Sequence, residues 1–146
     1  MNKLGLRWGM RVCVILALTL SARLPCAEVL VVTGANTAVS TLSRSQVSAI
    51  FQGRLLALPD GGRVATVDQP ESNRLRDEFY LKVTNMSAAQ ARAQWAKLYF
   101  TGRGVPPREA VDSDEVKRLV NSLPDAVGYI DRSALDSSVR VLYIVQ

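Results

Sequence analysis

The sequence predicts one α/β domain, with a mixed or mostly parallel sheet of about four to five strands flanked by helices. Three observations carry that expectation. Residues 28–33 (EVLVVT) form a continuous apolar run, as in a strand covered on both faces. Three later stretches open with helix-capping pairs: Ser43 with Gln46, Ser87 with Gln90, and Asp112 with Glu115. Two further apolar runs, 126–130 (AVGYI) and 139–145 (VRVLYIV), close the chain as strands.

Taken in order, the run at 28–33 turns through Gly34-Ala35-Asn36-Thr37 into a helix capped by Ser43. Leu42 and Val47 flank that cap as a hydrophobic staple, and Val47, Ile50 and Phe51 share the apolar face. Gly53 ends the helix, because glycine takes the left-handed conformation without a Cβ clash. Strand, loop and helix together resemble the first half of a βαβ unit. Pro59-Asp60-Gly61-Gly62 is a turn before a short strand at 63–67, where Asp60 and Asp68 read as turn residues. Pro70 then starts a helix that points Leu75, Phe79 and Val83 inward and Arg74, Arg76, Asp77 and Glu78 mostly outward. The next helix gathers Ala88, Ala91, Trp95, Leu98 and Tyr99 on one side and stops in the Gly- and Pro-rich loop 100–107. A last helix carries Val116, Leu119 and Val120 inward, and Leu123-Pro124-Asp125 breaks it.

The first 27 residues stand apart. Lys3, Arg7 and Arg11 precede an uncharged apolar run at 12–20, well short of the ~20 residues that a spanning helix needs. That is the pattern of a secretory signal, cut after Ala27, so the expected mature domain is 28–146, periplasmic and without a transmembrane segment. Cys26 adjoins the cut, but Arg23-Leu24-Pro25 makes a poor lipobox, and a soluble secreted protein is expected. Four of the eighteen basic residues lie in this segment, which leaves fourteen against thirteen acidic residues in 28–146. A nucleic-acid partner is not expected, because no clustered basic footprint remains. Cys13 and Cys26 fall there too, so 28–146 has no disulfide to form.

The residue inventory excludes several chemistries. There is no histidine, and 28–146 has no cysteine, so Ser–His and Cys–His nucleophile pairs and His- or Cys-ligated metal sites are excluded. Asp112, Asp114 and Glu115 cluster in sequence, but negative charge in a first helical turn is favoured by the helix dipole without any catalytic role. No enzyme and no cofactor is expected. Phe51, Phe79, Trp95, Tyr99 and Phe100 lie at helical spacing, which implies core packing. Anion binding is better motivated. Gly34, Asn36 and Thr37 offer N–H, amide and hydroxyl donors at a strand end, and Ser72, Asn73 and Arg74 stand at the start of a helix.

Ile50-Phe51-Gln52-Gly53-Arg54, Phe100-Thr101-Gly102 and Ala126-Val127-Gly128-Tyr129-Ile130 occur in the order seen in a known group. In these motifs the chain resembles short secreted proteins related to the phosphate-binding proteins of ABC transporters. The resemblance implies a single type 2 periplasmic-binding-protein-like lobe that binds phosphate or another small oxyanion and works with a membrane transporter or sensor protein. Only Ser72 matches the family's Arg…Ser-Gly-Thr pattern directly; Asp68 falls where the arginine would be, and Arg74 is its candidate substitute. Leu58 stands where many relatives have Trp. The alternative is a periplasmic interaction module that keeps the scaffold without a ligand. The solute reading requires Asn36–Thr37 and Ser72–Arg74 to converge on one cleft.

Overall fold

The computed structural model describes residues 28–146, and the expected signal segment lies outside them. Helix α1, Arg44–Phe51, forms as its caps dictate: Ser43 Oγ accepts from the Gln46 N–H, and the Gln46 side chain accepts from the Ser43 N–H. Gly53 follows at φ 67°, and an added Cβ would lie 2.5 Å from Leu98 Cδ1. The left-handed conformation favours glycine here, and a Cβ would in addition displace the Leu98 side chain. The end of α1 is pressed against helix α3, Ala88–Phe100, whose Trp95 indole donates to the Phe51 carbonyl at 3.0 Å.

The sheet is mixed, with strand order β3-β2-β4-β1-β5. Strand β1, Val29–Gly34, is fully buried and lies between β4, Ala126–Asp131, and β5, Val139–Ile144. Strand β2, Ala65–Asp68, pairs in parallel with β4 and with the two-residue edge strand β3, Arg108–Glu109. Burial of β1 on both faces is as expected, but its direction is not. It runs antiparallel to both neighbours, so β1, α1 and β2 do not make half of a βαβ unit.

Two cores flank the sheet. On one face, α1 and helix α2, Arg74–Thr84, pack Val47, Phe51, Phe79 and Tyr80 against Val29, Val31 and Tyr129. The Phe79 and Tyr129 rings stack at 4.0 Å between centroids, and Phe51 meets Phe79 edge-on at 4.7 Å. On the other face, helix α4, Ser113–Ser122, sets Val116 and Val120 on Leu30, Val32 and Val67. Tyr99 and Phe100 depart from expectation: they end α3 on its open side, 59% and 85% exposed. Tyr99 follows Trp95 by four residues, but the last turn of α3 is covered only on the side of Leu98, which packs against Gly53 and Gly104.

Phe51→Ala is expected to cost about 3–5 kcal/mol, because a fully buried ring leaves a cavity among three others. Ser43→Ala, which removes only a cap, should cost about 1 kcal/mol. Urea denaturation followed by circular dichroism measures both. A cost for Phe51→Ala no larger than for Ser43→Ala would show that the ring is not a core element.

Candidate functional site

Because β1 runs against β2 and β4, the ends of these strands face opposite poles. Thr33 pairs with Val127, which pairs with Thr66, whereas the row of Tyr129 lies toward the start of β1 and the end of β2. The loop from Gly34 to Thr37 therefore leaves one pole of the sheet, and Ser72 to Arg74 leave the other. The two halves of the expected site do not converge.

The first loop is closed on itself. Thr37 N–H donates to the Gly34 carbonyl at 3.2 Å, and the Thr37 and Thr33 hydroxyls bond to each other at 3.1 Å. Arg140 then donates to the Ala35 and Thr37 carbonyls. Gly34 is packed so tightly on α4 that a Cβ would stand 2.8 Å from the Val120 carbonyl. Of the three candidates only Asn36 is exposed. This loop is a structural turn fastened to β5.

At the opposite pole, β2 leads to α2 on one face and β3 leads to α4 on the other. Adjacent parallel strands whose connections diverge in this way form a topological switch point, and α/β proteins bind ligands outside the carboxyl ends of such strands. Ser72, Asn73 and Arg74 stand there. Asn73, rather than Ser72, caps α2: its Oδ1 accepts from the Leu75 N–H at 3.0 Å, and its amide donates to Gln69 Oε1 at 2.5 Å. Ser72 and Arg74 are exposed beside it.

Beneath this rim lies a network that the sequence reading missed. Asp68 is 5% exposed and is no turn residue. Its Oδ1 accepts from the Tyr129 hydroxyl at 2.5 Å and the Gln69 N–H at 2.8 Å, and its Oδ2 from the Tyr80 hydroxyl at 2.8 Å and Arg76 Nε at 3.1 Å. Arg76, expected outside, is therefore buried, and its guanidinium lies 5.2 Å from the Tyr80 ring centroid. Its Nη1 is buried without a hydrogen bond among the described residues, 3.8 Å from Glu71 Oε1. Gln69, 1% exposed, joins the network to the rim through Asn73 and to β4 through the Tyr129 carbonyl. The available signal was spacing: Arg76 precedes Phe79 and Tyr80 by three and four residues, on their helical face.

These contacts set the protonation states. Burial pushes the Tyr80 and Tyr129 hydroxyls well above the ordinary phenol range, and the charge of Asp68 raises them further. Burial alone would lower the Arg76 guanidinium, but the charge and hydrogen bond of Asp68 outweigh it and raise the group. Among the described residues no group of acidic, histidine or cysteine side chains could hold a metal ion, and no helix is long and apolar enough to cross a membrane.

Comparison with known proteins adds the fold's relatives. A protein from Clostridium perfringens, assigned as a phosphate ABC transporter substrate-binding protein and solved with bound phosphate, matches with a TM-score of 0.65 and 22% identity over 80% of this chain and 44% of its own. An ABC-type phosphate transport receptor from Vibrio cholerae matches at 0.62 and 20% identity, over 80% and 45% of the two chains. PstS from Borrelia burgdorferi matches at 0.59 and 10% identity, over 80% and 46%. The chain thus spans under half the length of each. No family model and no curated protein matches. At these identities the likeness defines the fold: an α/β lobe like those of phosphate-type substrate-binding proteins.

Asp68→Asn is expected to destabilise the protein by about 3–5 kcal/mol, because Arg76 keeps its buried charge and loses its buried counterion, with only the half-exposed Glu71 left at 3.8 Å. The double variant Asp68→Asn with Arg76→Leu should cost less, having no buried charge left unpaired. Equal losses in chemical denaturation would contradict the ion pair. Stability should also fall in alkali. Tyrosines with raised folded-state pKa values stabilise fully below the unfolded value of about 10 and lose that contribution as pH rises above it. Denaturant midpoints compared between neutral and strongly alkaline pH test this, and Tyr80→Phe should weaken the dependence.

Proposed function

We propose that this chain is an exported, periplasmic solute-binding-protein-like domain. It takes phosphate or another small oxyanion at the start of α2, for ABC-type uptake or sensing with a membrane transporter or sensor protein. The supporting observation is the position of Ser72, Asn73 and Arg74: a helix N-terminus with a hydroxyl and a guanidinium, at the switch point between β2 and β3. Asp68 does not oppose an anion there as a free carboxylate would, because Arg76 neutralises it. The solved relative with bound phosphate supports the choice of ligand. Gly34, Asn36 and Thr37 have no part in this site, since they leave the other pole. The function is non-enzymatic binding.

A second reading, a periplasmic interaction module that keeps the scaffold without a ligand, is favoured by one observation. Where the resemblance places a ligand-binding arginine, this chain has Asp68, and the nearby Arg76 is already engaged by it.

Phosphate titration distinguishes the two. Under the first reading, phosphate at a hundredfold excess over Kd stabilises the protein by ~2.7 kcal/mol in thermal unfolding. Ser72→Ala and Arg74→Ala should diminish the effect, and Asn36→Ala should leave it intact. No shift with millimolar phosphate or sulfate, together with a stable protein partner from the periplasm, would establish the second reading.

A further inference from the structure

The pole opposite the proposed anion site carries a separate groove of about 350 Å³. It opens at the amino end of β2, between the loop that follows α1 and the loop that follows α3. Leu55, Leu56, Val105 and Pro106 give it apolar walls, and Arg63 and Arg108 stand on its lining. Leu56 is 43% and Val105 70% exposed, values far above those of the core aliphatics.

The charge of the groove is one-sided. No carboxylate lines it. The ion pairs among the described residues engage Arg76, Lys82, Arg92, Lys117 and Arg132, and neither Arg63 nor Arg108 takes part in one. Arg108 belongs to β3, one of the two edge strands of the sheet. Two guanidinium groups beside apolar walls, at the border of a sheet, match an extended chain that carries carboxylates and leucine-like side chains in alternation. A basic or purely apolar segment would leave both guanidiniums uncompensated.

We propose that this groove docks an extended acidic segment of a partner protein, with an apolar side chain seated between Leu56 and Val105 and carboxylates on Arg63 and Arg108. The site lies at the pole opposite the α2 N-terminus, so an anion held at α2 does not occlude it.

Fluorescence anisotropy tests the assignment with two labelled peptides, one alternating glutamate with leucine and one alternating lysine with leucine. The acidic peptide is expected to bind at least about tenfold more tightly, and more weakly in high salt. The exposed double variant Arg63→Glu with Arg108→Glu should reverse the preference, and Val105→Asp should weaken binding of the acidic peptide. Equal binding of the two peptides, no binding of either, or unchanged preference in the double variant would overturn the proposal. So would a dimer in sedimentation analysis that Val105→Asp abolishes, because the groove would then be occupied by a second copy of this chain.

Discussion

The carboxylate of Asp68 is the point on which the molecule depends. It lies at the end of β2, and the four donors that surround it come from β4, from α2 and from its own neighbour Gln69. The side-chain donors belong to β4 and α2, which also contribute aromatic rings to the core, so the polar network and the Phe51–Phe79–Tyr129 cluster enforce the same geometry. A buried charge is tolerated only when paired and hydrogen-bonded, and the Asp68 carboxylate meets both conditions. The consequence reaches the surface. Through Gln69 and Asn73 the network sets the first turn of α2, so the presentation of Ser72 and Arg74 follows from how the carboxylate is held.

The antiparallel insertion of β1 decides which parts of the chain share a pole. Every parallel strand of the sheet ends at the pole of α2, while β1 ends at the other. The Gly34–Thr37 loop is thereby removed from the anion site and fastened to β5 by Arg140. The amino end of β2 lies at that other pole, where the arginine-lined groove opens between the loops that follow α1 and α3. The two candidate surfaces lie at opposite ends of one sheet and have different chemistry, a helix start with polar donors at one and apolar walls with unpaired guanidiniums at the other.

Helix α1 was legible in the sequence because its determinants are local: the Ser43–Gln46 box, the Val47–Ile50–Phe51 face and Gly53 act within a dozen residues. The burial of 28–33 was legible as well, since a continuous apolar run says that both faces are covered. Its direction was not, because the partners of Val29–Gly34 lie about a hundred residues away and an antiparallel central strand needs the same composition as a parallel one. Arg76 was misread for a related reason. An arginine among Arg74, Asp77 and Glu78 has the composition of a solvated face, and only its counterion at the end of β2 draws it inward. Tyr99 shows the converse: helical spacing aligns it with Trp95, but whether another element covers that side is a tertiary fact.

The most direct test of the account is a phosphate titration of the isotopically labelled protein followed by amide chemical shifts. The account predicts saturable shifts centred on the amides of Ser72, Asn73 and Arg74, with the amides of Asn36 and Thr37 unmoved. Shifts centred on Asn36 and Thr37, or no saturable shifts at the start of α2, would contradict it.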